Sequence, residues 1–263
     1  MQICLLGAGS VATHLGLGLV QAGHRVQHVW SRTPASAAAL ARQLPGATAS
    51  TALDLRHLTA DVFLLSVPDA GVEPLLAGLQ LPVGALVAHT AGALPLAVFA
   101  PYPTLRGGVF YPLQTFSIDR QLEWATVPLF IEASNPTDEV ALLALAHSLS
   151  REVRLVATPQ RLALHVAAVF ASNFPYHLLG LSHTLLQEAA LPFELLAPLV
   201  RETMEKALAQ APFVGQTGPA ARHDAPTLAR HEAALQNHPE WQQLYKSLSD
   251  SIQRQPAPVP VPE

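Results

Sequence analysis

Residues 7–18 read GAGSVATHLGLG, and no Lys, Arg, Asp or Glu precedes Arg25. A start of this kind is a membrane or export segment, a plain buried strand and helix, or a phosphate cradle. Export signals carry a basic residue ahead of their apolar run, whereas here the run begins at Ile3 with nothing basic before it. Gly7, Gly9, Gly16, Gly18 and Gly23, with His14 and Gln21 among them, make a poor membrane span. The expectation is therefore a soluble, cytoplasmic protein with no membrane partner. QICLLG reads as a short strand ending at Gly7, and VATHLGLGLVQAG shows helical spacing until Gly23 stops it.

The same alternation continues outward. RVQHVWS reads as a second strand, and RTPASAAALARQL as a helix with Thr33 as cap and Pro34 at its first position. ADVFLLSVPD and GALVAHTAG are strands separated by the helical AGVEPLLAGL, and runs apolar on both faces suit a covered parallel sheet. GGVFY and VPLFIEA add strands, Asn135-Pro136 opens a helix, and EVRLVA is the last strand. Thr158-Pro159 reads as a cap and first turn, after which only helices follow. These span about 160–190 with a break near Pro175, then about 193–210, 226–236 and 239–254. The expected architecture is α/β, a doubly wound and mostly parallel sheet over 1–157. An all-α domain follows over 158–254, then a disordered Pro-rich tail over 255–263.

Composition narrows the function. Of 263 residues half are hydrophobic and 13% charged, and a net charge of −4 gives no footprint for nucleic acid. The single Cys4 excludes an internal disulfide and any multi-cysteine metal site.

A lone GxGxxA match is weak, but Gly7 to Ala12 directly follows a strand and opens a helix. Gly7 permits the tight turn, Gly9 lets backbone approach a pyrophosphate, and Ala12 allows close helix–strand contact. The N–H groups of Ser10 and Val11 then face the anion at the helix start. A carboxylate at the end of the second strand would bind the ribose 2′-OH of NAD, yet no Asp or Glu lies between Arg25 and Asp54. Ser31, Arg32 and Thr33 stand there instead, which points to the 2′-phosphate of NADP; the alternative is a solvated surface arginine. Ser66, Val67 and Pro68 end the strand expected beside the nicotinamide, or form an ordinary turn.

HTAGALP (89–95), GVFYPLQTFS (108–117), LHVAAVFASNFPYHL (164–178) and QTGPAARHD (216–224) resemble a functionally unassigned family of NADP-dependent oxidoreductases. Its members have a Rossmann-like domain and a helical C-terminal domain of unknown function. The family is similar to pyrroline-5-carboxylate reductases and the 6-phosphogluconate-dehydrogenase-like superfamily. The resemblance implies that the helical domain completes a substrate pocket and forms a homodimer. Two positions depart from it. Tyr111-Pro112 stands where family members often have His-Pro, and SNFPY, with bulky Phe174, replaces the small-residue run of pyrroline-5-carboxylate reductases.

His165, Val169, Ser172, Asn173 and Tyr176 are spaced to share one helical stripe. His165 would supply the proton that accompanies hydride transfer, with Asn173 polarising the acceptor, or His165 is a satisfied core or dimer-interface residue. His89 ends a strand before Thr90, Ala91 and Gly92, and is either near the nicotinamide, with Thr90 and Gly92 as candidate substrate contacts, or a cap on that loop. Tyr111, Gln114 and Thr115 line the substrate end or a plain surface loop. Arg222 would clamp a substrate carboxylate or serve an interface salt bridge. His14 reads as packing, and adjacent His223-Asp224 as no metal site. The leading reading is an NADPH-dependent oxidoreductase acting on a small carbonyl or imine, one bearing a carboxylate, in an interdomain cleft. The alternative is an NADP-binding sensor or interaction protein without catalysis.

Overall fold

The computed structural model describes residues 1–255, so the proline-rich tail beyond Gln255 lies outside the described residues. The chain forms two compact units, Met1–Asn173 and the part from Phe174 onward.

The first unit is built on one sheet of eight strands: β1 (Gln2–Leu6), β2 (Arg25–Trp30), β3 (Thr48–Ser50), β4 (Val62–Leu65), β5 (Leu86–His89), β6 (Arg106–Pro112), β7 (Leu129–Ala133) and β8 (Val153–Leu155), in the order β3-β2-β1-β4-β5-β6-β7-β8. The first six are parallel, β7 is antiparallel to β6, and β8 is parallel to β7. The expected doubly wound sheet is present. Edge strand β3, with the sequence TAS, has no apolar run to announce it; small exposed residues suffice because only one neighbour pairs with it.

Alternation along the strands feeds two cores. Ile3, Leu5, Val29 and Leu64 pack with α1 (Ser10–Gln21), α2 (Pro34–Ala41) and α4 (Pro136–His147) on one face. Cys4, Leu6, Phe63 and Leu65 pack with α3 (Val72–Gly78) and Phe99 on the other. Helix α4 starts where Asn135-Pro136 predicts, with the Asn135 side chain accepting from the Asp138 N–H at 3.0 Å. Gly16 and Gly18 mark close packing on α1 with different partners. A Cβ on Gly16 would lie 3.0 Å from Leu5 of the sheet, whereas one on Gly18 would lie 2.3 Å from the indole nitrogen of Trp124.

The long helix, Thr158–Glu188, is interrupted near Pro175 as expected: α5 (Thr158–Ala168) gives way to a π-helical turn (Val169–Asn173) before α6 (Phe174–Glu188) begins. Pro175 lacks an N–H and crowds the carbonyl four residues back, and the wide turn just upstream accommodates that conflict, so the interruption is a change of helical pitch. The N-cap is Ala157; the Thr158 hydroxyl donates instead to Glu132. With a mean hydropathy of 1.3 the helix is long and apolar enough to cross a membrane, but its first turn holds Arg161 in an ion pair with Glu132 of β7.

The second unit contains α6, α7 (Ala197–Ala209), α8 (Ala225–Ala234) and α9 (Pro239–Gln253). Asp224 caps α8 by accepting from the Thr227 N–H at 3.2 Å, and His231 meets the Tyr245 hydroxyl at 2.8 Å to join α8 to α9.

Trp124 is 9% exposed and donates to the His14 carbonyl, so it has little room to yield. Gly18→Ala should lower the melting temperature: overpacking costs about 1–3 kcal/mol, more than the ~1 kcal/mol that alanine returns in helix propensity. Thermal unfolding followed by circular dichroism checks this, and a raised midpoint would contradict the packing described.

Candidate cofactor and active site

The turn from β1 into α1 is set by one steric contact. Gly7 adopts φ +136°, its N–H donates to the Trp30 carbonyl at 2.8 Å, and a Cβ there would sit 2.1 Å from the Ser66 carbonyl oxygen. Only glycine lets the ends of β1 and β4 meet this closely. Gly9 is the N-cap of α1 with no side-chain cap bond, and nothing lies within 4 Å of where its Cβ would point. Ala12 is buried against the core, Ser10 and Val11 are half-buried, and no side chain closes the helix start. Ser66 Oγ is buried and has no hydrogen-bond partner among the described residues. An open backbone cradle beside an unpaired hydroxyl fits a dinucleotide phosphate group.

At the end of β2, Ser31 donates its N–H to the Ser50 carbonyl at 3.2 Å and accepts from the Thr33 N–H at 3.3 Å. Thr33 is the N-cap of α2 and makes no side-chain cap bond. Arg32 is exposed, and no ion pair engages it among the described residues. After Ser66, Val67 is half-buried and Pro68 caps a single 3-10 turn, Asp69–Gly71.

Along the sheet, β1, β4, β5 and β6 run in one direction, so Gly7, Ser66, Thr90 and Tyr111 share the carboxyl edge. There the Tyr111 hydroxyl meets His165 Nδ1 at 3.0 Å, with the rings edge to face at 72°. Gly92 lies beneath both: a Cβ would come within 2.4 Å of His165 Nδ1 and 2.8 Å of Tyr111 Cζ. Burial raises the Tyr111 pKa above its ordinary value and the Asp69 carboxylate adds to this, while Arg161 opposes. The phenol keeps its proton at neutral pH.

His89 has a different setting. It is fully buried, stacks on Phe99, and accepts the Ala91 N–H on Nδ1 at 3.2 Å. Burial, then the Arg161 charge, pulls its pKa down to about 4 against the Pro95 carbonyl and Glu132. A neutral, enclosed imidazole fits the loop-cap reading and not that of a proton donor. Thr90 is spent locally, its N–H and hydroxyl both on the Leu65 carbonyl.

No hydrogen bond joins Asn173 or Gln114 to this cluster among the described residues; Asn173 is exposed, and Tyr176 is 82% exposed. Gln114 is exposed, accepts the Thr115 N–H at 2.8 Å, and lines a separate polar cavity of about 370 Å³ with His14 and Arg120. His14 meets the Ser117 carbonyl at 3.0 Å, a packing role as expected. Arg222 is exposed on a loop of the second unit. Among the described residues, no three His, Cys, Asp or Glu side chains gather as a metal site.

Sequence reasoning missed Asp69, Glu132 and Arg161. Arg161 is 1% exposed and bonds Glu132, the Leu94 carbonyl and Thr158. Burial raises the Glu132 pKa, but hydrogen bonds from Arg161 and Thr158 outweigh it and hold the carboxyl below its usual value. The signal available in the sequence was a lone Arg four residues before His165 in an otherwise apolar helix.

An eight-stranded, mostly parallel sheet with a glycine cradle, followed by helices, defines a Rossmann-like protein with a helical C-terminal region. Residues 1–114 match a Rossmann-like domain and residues 127–252 a domain of unknown function, DUF2520. The chain belongs to the family that includes a "putative NADP oxidoreductase" of known structure from Bacteroides fragilis. It is 39% identical to that protein, with a TM-score of 0.89, over 97% of this chain and 98% of the other. The fold is also similar to a reductive aminase from Aspergillus terreus in complex with NADPH and ethyl levulinate (16% identity, TM-score 0.72, 96% and 92% covered). A third similar fold is an imine reductase from Myxococcus stipitatus in complex with NADP+ (16%, 0.63, 96% and 92%). None of the curated proteins matches the sequence.

The folded protein holds His89 neutral, whereas the unfolded chain protonates it near pH 6.5, so its contribution to stability is complete above that pH and lost as pH falls toward 4. The loss is on the order of 3 kcal/mol. Chemical denaturation at a series of pH values should therefore show a shallower decline between 6.5 and 4 in His89→Gln than in the wild type.

Proposed function

We propose that the protein is an NADPH-dependent oxidoreductase that reduces a small C=O or C=N compound, with Tyr111 and His165 handling the proton. The observation that carries this reading is the 3.0 Å contact between the Tyr111 hydroxyl and His165, on the same sheet edge as the Gly7–Ala12 cradle. When bound, NADPH supplies the hydride. Gly7, Gly9, Ser10, Val11 and Ala12 hold the pyrophosphate on backbone N–H groups, and Ser31, Arg32 and Thr33 take the 2′-phosphate. Ser66, Val67 and Pro68 border the nicotinamide end, where the unpaired Ser66 hydroxyl gains a partner.

The Tyr111 proton stays on oxygen because burial and Asp69 both disfavour the phenolate. With the Tyr111 hydroxyl turned to the substrate heteroatom and His165 Nδ1–H donating to the phenol oxygen, the proton that Tyr111 gives up is replaced from Nδ1, and His165 regains one from solvent at Nε2. Gly92 leaves the space in which both rings meet. His89 holds the 90–92 loop, and the proposed site is built without Asn173, Gln114 or Arg222.

We also propose self-association through the second unit. Leu195, Leu199 and Leu208 are 60%, 63% and 90% exposed, a density of apolar surface that suits a second copy of the chain. A solution mass measurement tests it, and a monomer at working concentration rejects it.

Titration with NADPH and NADH tests the cofactor assignment. NADPH should bind more tightly, and Arg32→Ala should weaken it by about tenfold or more while leaving NADH little changed; equal affinity for the two cofactors in the wild type would sink the assignment. With a substrate found by following NADPH oxidation, Tyr111→Phe and His165→Asn should each lower turnover by roughly 10²- to 10⁴-fold and spare NADPH binding.

A further inference from the structure

We infer that the buried Glu132–Arg161 ion pair is a positioning device that holds His165 against Tyr111, an inference that rests on the proton-handling role proposed for those two rings. Three separate segments meet at the pair. Arg161 on α5 reaches Glu132 on β7 and donates to the Leu94 carbonyl, 2.5 Å away in the loop after β5. Thr158 locks the junction: its N–H and hydroxyl donate to Glu132 at 3.0 and 2.8 Å, and its oxygen accepts the Leu96 N–H at 3.1 Å.

The same segments carry the three residues of the proton site. His165 is one helical turn beyond Arg161, on the same face of α5. Glu132 is paired across the sheet with Val109, and Tyr111 lies two residues further along β6. Gly92 lies two residues before Leu94. Four helical residues advance about 6 Å and two strand residues about 7 Å, so with Arg161 on Glu132 and His165 on Tyr111, fixing Arg161 at the level of Val109 delivers His165 to the level of Tyr111. Tyr111 and His89 also both sense the Arg161 charge.

An ion pair is an expensive choice for a purely structural joint, since apolar replacement of a buried pair is often neutral or stabilising. What the charged pair adds is direction. Its hydrogen bonds fix the rotation and height of α5, where apolar packing would leave both looser. The unpartnered Nε of Arg161 fits an arrangement selected for placement over maximal bonding.

The test uses the full chain labelled with 15N-histidine, with the His165 ring signals assigned by their loss in His165→Asn. In the wild type the Nδ1 signal should report the hydrogen bond to Tyr111, and Tyr111→Phe defines the signal without it. The double variant Glu132→Gln/Arg161→Met strands no buried charge and should bind NADPH within about twofold of wild type. Its His165 signal should move to the Tyr111→Phe position. A double variant that keeps the wild-type signal overturns the positioning role. Should the double variant not fold, Arg161→Lys, which keeps the charge but not the forked bonds to Glu132 and the Leu94 carbonyl, decides by the same readout, a retained wild-type signal again overturning the proposal. A wild type that fails to bind NADPH overturns the functional reading instead, and does so whatever the His165 signal shows.

Discussion

Taking the Arg161 guanidinium out of water is the constraint around which the carboxyl edge of the sheet is arranged. A buried cation needs an anion and further acceptors, and here Glu132, Thr158 and the Leu94 carbonyl provide them from three directions. Glu132 is available because β7 runs antiparallel to β6, which returns the chain beside Val109, and β8 then leads into α5 at the same level. In a fully parallel sheet the next strand would arrive only through a crossover from the opposite edge. The single antiparallel step thus lets α5 begin beside the strand that carries Tyr111.

The opposite half of the edge obeys a second, purely steric constraint. The ends of β1 and β4 approach until Gly7 touches the Ser66 carbonyl, and this leaves the first turn of α1 and the Ser66 hydroxyl side by side. A cradle made of backbone and a proton site made of side chains therefore occupy neighbouring strand ends of one rigid sheet. The hydride chemistry proposed needs both groups fixed to one scaffold, and the parallel order β1-β4-β5-β6 supplies it.

Much of this was legible in the sequence because it depends on local pattern. The strand–turn–helix at 2–21, the Asn135 cap and most of the later elements follow from apolar spacing and from Gly and Pro placement. Strand β3 was not legible, since an edge strand of Thr-Ala-Ser carries no periodic signal. The interruption near Pro175 was legible because proline's local penalty is visible in sequence, while its form, a π-turn over Val169–Asn173, was not. For the site, His165 and Tyr111 were singled out separately, and Gly92 with them. Their meeting was hidden, as was the Glu132–Arg161 pair, because 54 and 29 residues separate the partners along the chain.

His89 and His165 show why residue type alone does not assign a role. Both lie at the carboxyl edge, yet one is sealed against Phe99 with its Nδ1 spent on the following loop, and the other is half-buried on a phenol. Burial drives the His89 imidazole and the Tyr111 phenol alike toward their neutral forms, the first by giving up a proton and the second by keeping it. Tyr111, at a position where the family that this chain resembles often carries histidine, therefore keeps a transferable proton at the end of β6. Desolvation and the nearby Asp69 carboxylate, acting together, hold that proton on the phenol through neutral pH.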